Sequence, residues 1–164
     1  MDRSIPSESL ANSGNRIAQR VITSNQVGSL CVSFLLAVPV WLAFVLLKHL
    51  GWVEPDEFEN ILAVVLFIGL YPLLEELVFR GLLMDLLSKY RWAAFRRLGV
   101  TTNNLFVSII FSLLHLISQD LENCLLVFVP SLWLGIVKES TGSTWTCAVV
   151  HMLWNFGLFC VLYV

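Results

Sequence analysis

Charged residues are scarce in this sequence. Lys, Arg, Asp and Glu make up 13% of the 164 residues, whereas 57% are hydrophobic. A soluble domain of this length has about 25% charged and about 45–50% apolar residues. The composition therefore excludes an ordinary soluble domain and predicts an integral membrane protein in contact with a lipid bilayer. The few basic residues are scattered among apolar segments, which excludes a nucleic-acid-binding surface.

The sequence also lacks closely spaced cysteines. Its four cysteines, at positions 31, 124, 147 and 160, show no C-x-x-C spacing, and all lie in apolar stretches. Cysteine in such a stretch behaves as a small hydrophobic residue. We expect neither a disulfide framework nor a zinc site built from these cysteines.

Five apolar segments predict an all-α, polytopic membrane helical bundle with about five transmembrane helices. They cover approximately residues 27–47, 60–87, 104–117, 121–137 and 144–164. Residues 1–26 are polar and rich in Ser and Asn, and we expect a flexible or partly helical tail there, with the bundle in residues 27–164. The second segment contains Pro72, which removes a helical hydrogen bond and predicts a kink or partial unwinding.

The charges between the apolar segments predict an orientation. One set of connections carries the bases Arg3, Arg16, Arg20, Lys89, Arg91, Arg96, Arg97 and Lys138. The other set carries Glu54, Asp56, Glu57, Glu59, Asp120 and Glu122, with Lys48 as its base. By the positive-inside rule the N-terminus is expected in the cytoplasm.

A small set of polar residues interrupts the apolar segments at a common depth. It consists of Glu75, Glu76, Arg80, His115, His151 and Asn155. At ~1.5 Å per residue, the carboxylates, both histidines and the asparagine fall near the middle of a ~30 Å hydrocarbon core. A charge at that depth costs at least ~2.5 kcal/mol on insertion scales, so the coincidence indicates a functional site. Glu76 and Arg80 are four residues apart and can pair on one helix face, and His151 and Asn155 have the same spacing.

The segments that carry these residues resemble the motifs of a known family. EELVFR, FSLLH and HMLWN, in this order on successive spans, resemble the EExxxR, FxxxH and HxxxN motifs of the CPBP intramembrane proteases. This family includes the CAAX prenyl endopeptidase and many bacterial relatives, and the resemblance covers roughly residues 60–160. It implies an intramembrane endopeptidase that hydrolyses a peptide bond near the C-terminus of a membrane-anchored protein.

The resemblance also implies roles for the residues of the first two motifs. Glu75 resembles the general base that activates a water molecule, and His115 resembles the residue that holds this water. Glu76 resembles the second, supporting glutamate, with Arg80 as its ionic partner.

His151 and Asn155 resemble the pair that stabilises the oxyanion of the tetrahedral intermediate. No cofactor is implied, because the resemblance is to glutamic-type proteases. A zinc site is the alternative, since two histidines and two glutamates are ligand types that Zn²⁺ accepts. The spacing, however, is not HExxH, and the ligands would come from three separate helices.

Several functions stay open at this point. The substrate is a prenylated CAAX-like tail, a C-terminal sorting tag of the kind cut by myxosortase-like enzymes, or part of a bacteriocin-linked immunity role. Because the chain is small, we expect a bacterial maturation or sorting protease in the cytoplasmic membrane, and the substrate-binding residues are not identifiable. Outside the enzymes, the alternatives are a scaffold or immunity protein, and a proton-coupled transporter that uses Glu and His as a relay. The lack of an internal repeat argues against a transporter.

Overall fold

The structure, a computed structural model, describes the backbone of residues 7–51 and 60–163 and the side chains of residues 27–51 and 60–162. This part of the chain forms five helices: α1 (Ser7–His49), α2 (Ile61–Leu87), α3 (Thr102–His115), α4 (Leu121–Thr141) and α5 (Thr144–Tyr163). A 3-10 turn (Arg91–Ala94) and a small hairpin of β1 (Arg96–Arg97) and β2 (Val100–Thr101) connect α2 to α3. The all-α polytopic bundle predicted from composition is confirmed. The acidic connection at residues 52–59 and the side chains of residues 1–26 lie outside the described residues.

Four of these helices are long and apolar enough to cross a membrane. They are the Val27–His49 part of α1, together with α2, α4 and α5. The backbone of α1 continues toward the N-terminus as far as Ser7. Helix α3 has only 14 residues, or about 21 Å at 1.5 Å per residue, which is less than a hydrocarbon core of about 30 Å. Of the five predicted spans, the third is therefore a shorter helix that ends at His115 inside the bundle.

Local sequence explains where several helices begin and end. The Asn60 side chain accepts a hydrogen bond from the backbone N–H of Ala63 (3.0 Å) and caps α2. Thr101 caps α3 in the same way through the N–H of Asn104 (3.0 Å). Helix α4 ends at Gly142, whose φ of 68° is a left-handed conformation that glycine adopts without strain. The chain then turns at once into α5.

The helices alternate in direction through the bundle. Lys138, near the end of α4, pairs with Asp85 near the end of α2 (3.2 Å), and Asn103 at the start of α3 donates to a carbonyl in the last turn of α2. At the opposite end, Lys48 of α1 donates to the backbone oxygen of Leu162 in α5. The ends of α2 and α4 thus lie at one end of the bundle, and the ends of α1 and α5 lie at the other. Lys138 lies within α4 and is buried, whereas the charge pattern places it in a connection.

Two apolar clusters hold the bundle together. The first joins α1, α4 and α5 and contains Ala37, Leu134, Val137, Cys147, Val150 and Trp154. The second joins α2 and α3 and contains Phe79, Met84, Val107 and Phe111. Because lipid tails are as apolar as leucine, helices in a membrane associate through close packing and polar contacts more than through hydrophobic burial. Small residues and buried polar groups therefore decide where these helices sit.

Tryptophan side chains attach α1 to the rest of the bundle. The indole N–H of Trp41 donates to the backbone oxygen of Trp154 (3.1 Å), and the indole of Trp154 donates to the backbone oxygen of Ser33 (3.0 Å). Trp133 donates to the Ser33 hydroxyl (2.9 Å). A Cβ added at Gly157 would lie 2.0 Å from the Trp41 ring. The two helices thus touch at a glycine and are linked by indole hydrogen bonds.

Helices α3 and α4 approach each other around a buried asparagine. Asn104 donates to the backbone oxygen of Leu132 (3.0 Å) and accepts from the Ser108 hydroxyl (3.1 Å). Its side chain lies against Gly135, where an added Cβ would be 1.9 Å from the Asn104 Oδ1. A glycine is therefore required at position 135 for the observed contact.

We expect Gly135→Ala to lower the free energy of unfolding by about 1–3 kcal/mol, because the new methyl overpacks the contact with Asn104. The measurement is the thermal unfolding of the purified protein in detergent. Gly28→Ala is the matched control, since nothing lies within 4 Å of a Cβ at that position of α1. Equal Tm values for the two variants would contradict the packing argument.

Candidate active site

Helix α2 is not uniformly α-helical around its glutamates. Two π-helical segments, Leu66–Leu70 and Leu77–Leu83, flank the α-helical segment Tyr71–Glu76. The backbone N–H of Tyr71 bonds the carbonyl of Leu66, five residues back, as in a π-helix. Wide turns of this kind are rare and frequently lie at functional sites. The predicted kink or unwinding at Pro72 thus takes the form of a widened helix that keeps helical backbone angles.

Glu76 and Arg80 form an ion pair that is completely buried. Arg80 Nη1 donates to Glu76 Oε1 (3.1 Å), as the spacing of four residues predicts. Arg80 Nη2 donates to both the backbone oxygen and the hydroxyl of Ser131 in α4 (2.8 Å each). The guanidinium also lies 5.0 Å from the centre of the Phe111 ring. Hydrogen bonds and a cation–π contact thus offset part of the desolvation cost of the pair, although Glu76 Oε2 and Arg80 Nε have no hydrogen-bond partner among the described residues.

His151 lies between the two glutamates. Its Nδ1 is 2.9 Å from Glu76 Oε1, and its Nε2 is 3.7 Å from Glu75 Oε2. A carboxylate can only accept, so the Nδ1 carries the hydrogen in the contact with Glu76. The Nε2 is thereby left facing Glu75. One imidazole on α5 thus connects both carboxylates of α2.

His115 is oriented by its own helix. Its Nδ1 is 2.8 Å from the backbone oxygen of Phe111, and because a carbonyl can only accept, the Nδ1 is the donor. In the neutral ring the Nε2 is then an acceptor. The Phe111 ring lies 4.7 Å from the His115 ring and 6.3 Å from the His151 ring, centre to centre. Phe111 therefore packs against both imidazoles and against Arg80.

Four of the six predicted residues line one cavity of about 510 Å³: Glu75, His115, His151 and Asn155. Apolar side chains form most of the remaining wall, among them Val40, Trp41 and Phe44 of α1 and Leu66, Phe67, Leu126, Val127, Leu134 and Leu158. The Glu75 side chain is 32% exposed, whereas that of Glu76 is fully buried. The two adjacent carboxylates thus have different surroundings, and Glu76 and Arg80 lie behind the cavity wall.

Asn155 makes a contact that its motif does not predict. Its Nδ2 donates to the backbone oxygen of Phe67, in the first π-helical segment of α2 (3.0 Å). The structure therefore places Asn155 at the cavity wall with its amide engaged on α2.

Sequence reasoning missed two contributors to the site. Ser131 holds Arg80 from α4, and the only sequence signal for it is a serine after Pro130 in an apolar run. The α1 residues Trp41 and Phe44 line the cavity although they lie outside the three motifs. Their signal is an apolar stripe with the small residues Ser33 and Ala37 on the buried face of α1.

The side chains do not fit a zinc site as they stand. Within residues 27–51 and 60–162, no three His, Cys, Asp or Glu side chains converge at the spacing that a metal ion requires. The mechanism proposed below uses carboxylate and imidazole groups and no metal ion.

Comparison with known proteins identifies the family. The model of one protein family, described as type II CAAX prenyl endopeptidase Rce1-like, matches residues 57–157. This range includes α2, α3 and α4, most of α5 and all three motifs, whereas α1 lies outside it. No curated protein and no solved structure matches the chain. Since the match covers more than half of the 164 residues, the chain belongs to the Rce1-like family of type II CAAX prenyl endopeptidases, which are membrane-embedded CAAX-type proteases.

Proposed function

We propose that this protein is an intramembrane endopeptidase of the glutamic type, which cuts a membrane-anchored protein near its C-terminus. The observation that carries the proposal is the convergence of Glu75, His115 and His151 on one largely apolar cavity. Peptide hydrolysis needs a base for water, a donor for the developing oxyanion and an acid for the leaving amine. These three side chains supply all of those groups.

The first step in this mechanism is activation of water. A water molecule donates one hydrogen to the Glu75 carboxylate and the other to the Nε2 of His115. Glu75 takes the proton as the water oxygen attacks the scissile carbonyl carbon. The His115 Nδ1–H contact with Phe111 supports this assignment, because it leaves the Nε2 as the acceptor.

His151 serves the second step. Its Nδ1–H is held by Glu76, and a proton on its Nε2 donates to the oxyanion of the tetrahedral intermediate. Glu75 then returns its proton to the leaving amine as the C–N bond breaks, which regenerates the resting carboxylate.

The cavity wall favours an apolar substrate segment. Aliphatic and aromatic side chains surround the polar groups, as expected for a site that accepts a lipid-attached or membrane-embedded tail. Both a prenylated CAAX-like tail and an apolar C-terminal sorting tag have this character, and we propose such a tail as the substrate. We further propose that the enzyme acts in the cytoplasmic membrane of a bacterium, with its N-terminus in the cytoplasm.

Glu75→Gln and His115→Ala should each lower the cleavage rate by at least about 100-fold, because removal of a general base or of its water contact raises the barrier to attack. The measurement is cleavage of co-expressed membrane-anchored proteins, with variant levels in the membrane matched to wild type. Glu122→Gln is the control, since Glu122 is exposed and lies outside the cavity wall.

Near-normal cleavage by either variant would refute the assigned roles. No cleavage by wild-type protein of any partner it binds would favour the scaffold or immunity alternative. Proton flux into vesicles that depends on Glu75 would favour the transporter.

We expect cleavage to survive treatment with EDTA and phenanthroline, because the proposed chemistry uses carboxylate and imidazole groups alone. The rate is measured before and after chelation, together with the metal content of the purified protein. Loss of activity that added Zn²⁺ restores would contradict the metal-free mechanism.

The wall that α1 contributes should affect substrate binding. Phe44→Ala removes apolar contact area and is expected to lower kcat/KM by about 10-fold, mainly through KM. Leu42→Ala is the matched control, since Leu42 lies on the same helix but is 63% exposed and does not line the cavity. An equal effect of both substitutions would argue against a role for this wall.

A further inference from the structure

We propose that Asn155 is a positioning residue that replaces a hydrogen bond which Pro72 cannot donate, and that it thereby holds Glu75 toward the cavity. The proposal rests on the proposed function, in which Glu75 is the general base. It gives Asn155 a task in the resting enzyme, separate from contact with the oxyanion.

The argument begins with the backbone of α2. The N–H of Tyr71 bonds the Leu66 carbonyl five residues back, so the next bond of the same pattern would run from residue 72 to Phe67. Residue 72 is a proline and has no N–H to donate. The Nδ2 of Asn155 donates to the Phe67 carbonyl oxygen at 3.0 Å. A side chain of α5 therefore donates to the carbonyl that residue 72 would bond in this pattern.

The rotation of the glutamate segment depends on this wide turn. A π-helical turn contains about one residue more than an α-helical turn, and one residue corresponds to about 100° of rotation. Were residues 66–70 to tighten into an α-helix, the face of Tyr71–Glu76 directed at α5 would change by about that angle. Glu75 would then leave the cavity wall. A contact that stabilises the π-helical turn thus keeps Glu75 directed at the cavity.

Helix α5 has the geometry to do this. His151 and Asn155 lie four residues apart on one face, and they contact α2 at two levels. His151 contacts the carboxylates, and Asn155 contacts the turn that precedes them. Together these contacts hold both the height and the rotation of the segment.

The role of oxyanion donor can be separated from this one by experiment. The amide has two N–H groups, and the contact with Phe67 uses one of them. If Asn155 acts by donating to the oxyanion, no change within α2 can restore the kcat lost on its removal. If it acts by completing the helix, a backbone N–H at position 72 should restore kcat.

Pro72→Ala provides that N–H. We expect Asn155→Ala to lower kcat by roughly 100-fold with KM nearly unchanged, because the base is displaced from its position at the cavity while the apolar wall is intact. In the double variant P72A/N155A, kcat should return to within about threefold of P72A alone. Rates are measured per folded molecule, at a temperature below every Tm, so that a purely structural loss does not contribute.

Pro39→Ala is the matched control, since Pro39 lies inside α1 and P39A/N155A should show no recovery. If wild type cleaves normally and P72A/N155A is as slow as N155A, the positioning role is overturned and the proposed function stays intact. Absence of cleavage by wild type would instead remove the proposed function.

If P72A itself is inactive, thermal unfolding tests whether Asn155 replaces the missing hydrogen bond. The loss of Tm caused by N155A should be clearly smaller in the P72A background than in wild type, since the new backbone donor takes over the same acceptor. Strictly additive losses would overturn the proposal.

Discussion

The arrangement of this site depends on how a charge is kept in an apolar interior. A single buried ion pair seldom repays its own desolvation, which amounts to several kcal/mol per ion. Glu76 and Arg80 are both fully buried, and each has further partners: His151 for the carboxylate, Ser131 and the Phe111 ring for the guanidinium. These partners come from α5, α4 and α3, so four helices are joined at one pair. The contacts of this pair link α2 to His151 of α5 and to Ser131 of α4.

The neighbouring carboxylate of Glu75 faces the cavity, whereas Glu76 is held in the buried pair. Glu75 and Glu76 are about 100° apart on the helix, so one faces the protein while the other faces the cavity. His151 contacts both, which links the buried carboxylate to the one proposed as the general base. Phe111 packs against Arg80, His115 and His151 and holds the imidazoles at a common level. Two identical side chains, adjacent in sequence, thus acquire different roles from their surroundings alone.

How much of this could be foreseen depends on the range of the interactions. Apolar runs and the depth of polar residues are local properties, and they predict the helical bundle and the meeting of Glu75 with His115 and His151. The short length of α3 agrees with the predicted segment 104–117, but the helix lies two residues earlier, because apolarity continues to Ile117 beyond the helix end at His115. Ser131 was missed because one serine in an apolar helix has no distinguishing pattern. The π-helical segment Leu66–Leu70 contacts Asn155 of a distant helix, and spacing within α2 cannot reveal that contact.

The first helix lies outside the residues matched by the family and forms part of the cavity wall. The residues matched by the family, 57–157, contain every proposed catalytic group, while Val40, Trp41 and Phe44 of α1 close one side of the cavity. This wall is attached through Trp154, whose carbonyl accepts from Trp41 and whose indole donates to Ser33. Trp154 lies between His151 and Asn155 on α5, so the helix that carries the proposed oxyanion donor also carries the attachment of the wall. A displacement of α1 by a bound tail would therefore act on α5 directly. Through α5, substrate contact could reach His151 and the π-helical turn that Asn155 contacts.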